Sequence, residues 1–271
     1  MGTLINISTH KGGAGKTTIA TNLATALAVK YPKKLICLVD LDGQCGVSIS
    51  FGKSPNKYTD KSVLSIINKK SKIESALFNN VAVQNDNVLD NLYVIFSEPN
   101  LRGFDHIINN DISIKNNLIK LIEYLKNKFD FVILDTPPAF STINIIAFMN
   151  SDIIISPFEP ERQNIEGSFA VIKELEKESY RNLPLIYLLP IKVKERTIID
   201  SSLLQYVEDK INIDFKDKDN IVLSNIRIPN STQYKSTNAR EKQPLYLSKS
   251  KAKAVASQKE NIDKIIVDLG F

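Results

Sequence analysis

Leu4-Ile-Asn-Ile-Ser8, Thr9-His-Lys-Gly-Gly-Ala-Gly-Lys-Thr-Thr18, and then the helix-forming segment Thr17 to Val29 follow one another at the start of the chain. This order, apolar run then glycine-rich loop then helix, is the context a phosphate-binding loop needs. Glycines let successive backbone N–H groups turn inward around phosphate oxygens, and a helix N-terminus adds partial positive charge. The general pattern G-x-x-x-x-G-K-[ST] asks for glycine at position 10, where this chain has His10. The match is therefore to a variant loop. Gly12, Gly13, Ala14 and Gly15 form the turn, Lys16 and Thr17 follow it, and an additional Lys11 precedes it. Lys16 is expected to reach the β- and γ-phosphates of a nucleotide, the Thr17 hydroxyl to hold Mg²⁺, and Thr18 to contact the α-phosphate. A turn that binds nothing is a poor account of three glycines, two lysines and two threonines in eight residues.

Working outward, short apolar runs ending in turn or acidic residues recur along the chain: Leu35–Val39, Leu92–Phe96, Phe131–Leu134, Ile153–Ile155, Leu185–Leu189 and Ile221–Leu223. Continuous runs rich in β-branched residues fit strands buried on both faces of a parallel sheet. Between them lie helical stripes, one of Ile114, Leu118, Leu121, Ile122 and Leu125, another of Ile165, Phe169, Ile172 and Leu175. Strands alternating with amphipathic helices predict an α/β fold, a doubly wound, mostly parallel sheet flanked by helices, in one domain over residues 1–271. The Lys-, Asn- and Ser-rich stretch from Lys53 to Asn80 keeps small apolar clusters and is read as short surface helices.

Composition sets the outer bounds. Of 271 residues, 43% are hydrophobic and 24% charged, as in an ordinary globular protein. Two cysteines, Cys37 and Cys45, in a chain of this length point to a reducing compartment. Neither a secretory signal nor an apolar run of the ~20 residues that span a bilayer is present, so the expected location is cytoplasmic. Charge is unevenly placed: Ser224 to Lys253 holds seven basic residues and one acid, Glu241, within a chain whose net charge is +5. A local basic excess of this kind suits a polyanion, although any one of these lysines alone reads as a solvated surface charge.

Lys11-Gly-Gly-Ala-Gly-Lys-Thr-Thr18 resembles the deviant Walker A motif, K-G-G-x-G-K-[ST]-T, of the ParA/MinD class of P-loop ATPases. In that class the first lysine, here Lys11, reaches across a homodimer interface to the partner's ATP. Leu38-Val-Asp-Leu-Asp-Gly-Gln44 resembles the class's D-x-D-P-Q switch: Asp42 matches the carboxylate that activates the attacking water, and Asp40 a residue near the Mg²⁺ shell. Gly43 stands where the pattern has proline, which predicts a looser switch. Phe131-Val-Ile-Leu-Asp135 reads as a Walker B strand whose Asp135 holds Mg²⁺ through water, and Thr136-Pro137-Pro138 as a stiff second switch. Ser156-Pro-Phe-Glu-Pro160 with Ile165-Glu-Gly167 resembles a later segment of the class. Ile228-Pro229-Asn230 resembles its adenine-lining loop, making Pro229 and Asn230 base contacts.

Within the class, the resemblance is to the short ParA/Soj-type partition ATPases without an N-terminal helix-turn-helix domain. Their ATP dimers hold double-stranded DNA without base readout and release it on hydrolysis stimulated by a ParB-like adaptor, which implies association with the nucleoid. Lys194-Glu-Arg-Thr197 resembles a segment whose arginine, here Arg196, contributes to the DNA face. Arg227, Lys235, Arg240, Lys249, Lys251 and Lys253 extend that face, and counterion release supplies the affinity. The alternative is a MinD-like membrane-cycling or other cargo-positioning ATPase. The last helix, Ala252 to Leu269, has an apolar stripe but an acidic last turn, so packing is its expected use and no stable membrane association is expected. An iron–sulfur reductase sharing the loop needs cysteines that Cys37 and Cys45 do not match, and a small-molecule kinase has no need of Lys11.

Overall fold

The computed structural model describes residues 1–84, 87–138, 141–178, 183–194 and 198–271. Strand β1 (Thr3–Ile7) runs into the glycine loop, from which helix α1 (Lys16–Lys30) leaves towards β2 (Ile36–Asp40). The short helices α2 (Gly46–Ser50), α3 (Val63–Ile67) and α4 (Ile73–Ala76) come next. An antiparallel pair, β3 (Val83–Gln84) and β4 (Asn87–Val88), leads to β5 (Leu92–Ile95). Helices α5 (Asp105–Asn110) and α6 (Ile112–Lys128) precede β6 (Phe131–Asp135), and α7 (Thr142–Asn150) precedes β7 (Ile153–Phe158). Next come α8 (Arg162–Glu178), β8 (Leu185–Val193) and α9 (Ile198–Asp214). The chain closes with β9 (Ile221–Leu223), β10 (Ile228–Pro229), α10 (Thr232–Glu241) and α11 (Lys253–Asp268).

The main sheet has the order β10-β8-β7-β1-β6-β2-β5, with β9 also on β8, and its ladders are parallel. The chain therefore starts in the middle, winds out through β2 and β5, returns to β6, and then winds the other way through β7 and β8. In such a sheet the crevice lies beyond the C-terminal strand ends, near the reversal of winding. The loop after β1 sits there.

Alternate residues of each strand feed opposite layers, which is why the runs are continuously apolar. Ile5, Ile7, Leu38 and Ile133 join a core with α1 and α11, while Leu4, Cys37, Val39, Val132 and Leu134 join one with α3, α6 and α7. A third cluster sets Ile165, Phe169, Ile172 and Leu175 of α8 against β7 and β8. The α6 stripe is buried at all five expected positions, and Asp111 caps the helix by accepting from Ser113 N at 2.8 Å. Helix α1 is buried nearly all round, and Asn22 Oδ1 accepts from Tyr246 N at 2.6 Å, tying the C-terminal segment to it. The α11 stripe is spent on packing: Val255, Ile262, Ile265 and Ile266 are fully buried. No helix among the described residues is long and apolar enough to cross a membrane.

Two expectations are corrected. Strands β7 and β8 outrun their apolar stretches, Ile153–Ile155 and Leu185–Leu189, by passing through Pro157 and Pro190. Strand β1 pairs β7 only at Ile153, Ile154 and Ile155, so Pro157 lies past that ladder, where a missing N–H is harmless. Within Lys53–Asn80, α3 is not a surface helix: all five of its residues are buried, and Ser62 caps it through Ser65 N at 3.1 Å.

Candidate functional site

The loop after β1 turns on Gly13 (φ +74°) and Gly15 (φ +71°), both left-handed. Gly15 also caps α1, its carbonyl accepting from Ile19 N at 2.9 Å, and a Cβ there would stand 3.3 Å from Ile191 Cδ1. The left-handed conformation favours glycine, and the close approach of Ile191 adds to that preference. Lys16 opens the helix with only 7% of its surface exposed, and its ammonium donates to the Lys11 carbonyl at 3.3 Å. Burial lowers the pKa of Lys16, against the opposing pull of Asp135 and Asp42.

Thr17 Oγ1 donates to Asp135 Oδ2 at 2.6 Å, joining the helix start to the end of β6. Asp135 is fully buried and its other oxygen, Oδ1, has no partner. Burial pushes its carboxyl up to about 7, although Thr17 and Lys16 pull the other way. An orphaned carboxylate oxygen beside a hydroxyl suits an oxygen-loving cation, so these residues fit Mg²⁺. Gly46 keeps this corner clear, since a Cβ there would lie 2.9 Å from Thr17 Oγ1.

Asp40 pairs in register with Asp135 across β2 and β6 and is equally buried. Its oxygens accept from Asp42 N at 3.0 Å and Val47 N at 3.2 Å, so it shapes the first switch from beneath. Burial and then Asp135 hold its pKa well above the usual carboxylate range. Asp42 is half-buried at the edge of the site, its Oδ1 accepting from Gln44 N at 2.8 Å.

Gly43 is closely packed. A Cβ there would stand 2.5 Å from Arg102 N and 2.6 Å from Arg102 Cγ, so the segment after β5 fills the space a proline ring needs. Arg102 also hydrogen-bonds Gln44 Oε1. Gly43→Ala and Gly43→Pro are expected to cost ~1–3 kcal/mol by overpacking, because a backbone neighbour cannot swing aside. Thermal melting checks this: a fall of several degrees is expected, and an unchanged midpoint would show that the 101–102 segment yields freely. In the second switch, Thr136 Oγ1 donates to the Ile7 carbonyl at 2.9 Å and Asn144 Nδ2 to the Pro137 carbonyl at 3.0 Å.

Lys11 goes elsewhere. Its side chain is 43% exposed and its ammonium pairs with Glu161 Oε2 at 3.1 Å, on the rim beyond β7. A cavity of about 450 Å³ opens beside the loop, with Gly15, Thr18 and Ile19 on one wall and Pro229, Asn230 and Tyr234 on another. Thr18, Pro229 and Asn230, chosen from distant parts of the sequence, thus line one cavity of ligand size.

Of the basic residues named for the polyanion face, Arg227, Arg240, Lys249, Lys251 and Lys253 are exposed. Arg196 lies outside the described residues, as does the side chain of Lys235. Glu241, the one acid in that stretch, accepts from Ser248 Oγ at 2.9 Å and from Lys249 N at 3.1 Å, fastening the loop before α11 to the end of α10. Sequence reasoning missed Glu161, Lys192 and Arg102. The available signal was Lys192, the one charged residue in the run Leu185–Val193.

A family model described as an AAA domain matches residues 2–185. A ParA family protein of Mycoplasma pneumoniae is 30% identical over 250 residues, covering 90% of this chain and 89% of its own. A ParA family protein of Mycoplasma genitalium is 29% identical, covering 98% and 97% respectively. Among solved structures, a putative plasmid partition protein from Borrelia burgdorferi, bound to AMPPNP, superposes with a TM-score of 0.75 at 22% identity, covering 99% of each chain.

Proposed function

This chain belongs to the ParA family, and on that premise we propose that it is a partition ATPase whose ATP-bound homodimer holds double-stranded DNA without sequence preference. Hydrolysis, stimulated by a ParB-like adaptor, ends the hold and returns the chain to the monomer, and repetition of the cycle moves a plasmid or chromosome. The observation that carries this reading is the division of labour between two lysines. Lys16 is buried inside its own loop, whereas Lys11 keeps its ammonium outside, on an exposed rim.

In this reading the backbone of Gly12, Gly13, Ala14 and Gly15 cradles the phosphates, Lys16 neutralises the β- and γ-oxygens, and Thr18 contacts the α-phosphate. Thr17 and Asp135 hold Mg²⁺, with Asp40 behind them. Mg²⁺, when bound, supplies positive charge against the β- and γ-phosphate oxygens. Asp42 orients water for attack, and Lys11 of each protomer completes the site of the other. Pro229 and Asn230 pack on the base. The exposed cations Arg227, Arg240, Lys249, Lys251 and Lys253, together with Arg196 and Lys235, form the DNA face. With the α11 stripe buried, Val267 is the one large apolar side chain that helix exposes, too little to seat on a lipid surface, which favours partition over membrane cycling.

Fluorescence anisotropy with random-sequence duplex DNA tests the reading under ATP, ADP and no nucleotide at two salt concentrations. Tight binding is expected with ATP alone, weakening steeply with salt, since each phosphate neutralised adds about 0.9 to the log–log slope. Absence of binding under every condition, or equal binding under all three, overturns it.

A further inference from the structure

We propose that Lys192, held by Glu159, is a positioning residue of the nucleotide site that sets the phosphate loop from outside; this rests on the nucleotide-binding reading above. Strand β8 pairs β10 at Ile191↔Ile228 and then at Val193↔Pro229, so Lys192 has no counterpart and forms a bulge. Its φ is +54°, a left-handed conformation that a residue with a Cβ rarely takes. Bulges of this kind redirect a side chain out of the alternation of its strand. Here the ammonium donates to the Gly13 carbonyl at 3.0 Å and to Glu159 Oε1 at 2.6 Å. Glu159, one residue beyond β7, is only 17% exposed, which limits how far the lysine can wander.

The contact matters because of what Gly13 is. The peptide between Gly13 and Ala14 is trans and planar, so fixing its carbonyl also fixes the direction of the Ala14 N–H on the other side of the bond. Gly13 itself is left-handed and has nothing within 4 Å of where a Cβ would sit, so packing holds this peptide only from its Ala14 side, where Ala14 is buried in the core. Lys192 and Glu159 line the same cavity as Gly13 and Thr18. One charge-assisted contact therefore holds the open, Gly13 side of this peptide and places a third lysine beside the cavity.

Titration of fluorescent ATP and ADP analogues into wild type, Lys192→Met, Lys192→Arg, Glu159→Gln and Lys16→Ala tests this, with a melting curve of each nucleotide-free protein. Lys192→Met should raise both dissociation constants about tenfold, the scale of one charged hydrogen bond. Lys192→Arg, which retains the donor, should recover most of that loss, and Glu159→Gln should show a smaller loss in the same direction. In steady-state turnover KM should rise while kcat is kept. If Lys192→Met lowers the melting midpoint, the folded Glu159→Gln variant decides the matter. Wild-type affinity in both variants while Lys16→Ala loses binding overturns this proposal alone. Failure of the wild type to bind either nucleotide overturns the nucleotide reading with it.

Discussion

Lys11→Gln is expected to abolish ATP-dependent dimerisation and to lower turnover by about 10³-fold or more, while the monomer keeps its nucleotide affinity. A cation delivered in trans to the charge that develops in phosphoryl transfer is worth ~10³–10⁵ in rate in other P-loop proteins. Affinity is spared because the loop cation is Lys16, whose ammonium lies on the Lys11 carbonyl and not on its side chain. In the monomer the Lys11 ammonium is parked on Glu161, and with side chains 43% and 60% exposed the pair is screened by water and easily given up on closure. Glu161→Gln should therefore leave closure intact. Light scattering with ATP and a single-turnover assay make the comparison. A Lys11→Gln protein that dimerises and turns over normally would falsify the sandwich.

The parts of this site that the sequence disclosed are those written within one segment. Lys11 to Thr18 is contiguous, and the glycine conformation and helix start that shape it are both local properties. The strands were legible because β1, β2 and β6 are covered on both faces and so lack any polar alternation. The five-residue α6 stripe was legible because it spans more than two turns, long enough for a period to show. Helix α3 has only five residues, and over that length a buried helix and an apolar surface cluster read alike. Glu161 and Lys11 are 150 residues apart, and Lys192 and Gly13 are 179 apart, so only the folded sheet brings them together. The bulge at Lys192 arises from pairing with β10, which no pattern inside β8 records. Gly43 was legible as a departure from a motif, a glycine where the pattern has proline. The sequence could not show its tertiary neighbour, Arg102, which leaves no room for a Cβ there.

Asp42→Ala is expected to lower ATP hydrolysis by ~10²–10⁴, the range of one general base, and to leave the ATP dimer persistently on DNA. The direction follows from where Asp42 stands. It is half-buried beside Asp40 and close enough to Lys16 to raise that lysine's pKa against burial, while the residues assigned to phosphate and Mg²⁺ contact lie elsewhere. A second effect has to be separated from this one. Asp42 Oδ1 also accepts from Gln44 N at 2.8 Å, and losing that bond slackens the first switch by about 1 kcal/mol, enough to weaken binding roughly fivefold but not to remove several decades of rate. Asp42→Asn distinguishes the two, because the amide oxygen retains the acceptor for Gln44 N while the group can no longer take a proton from water. Equal loss of turnover in the Ala and Asn variants, with ATP affinity intact in Asn, assigns the loss to the carboxylate acting on water. Recovery of hydrolysis in Asp42→Asn would assign Asp42 to the architecture of the switch and leave the base to be sought among its neighbours.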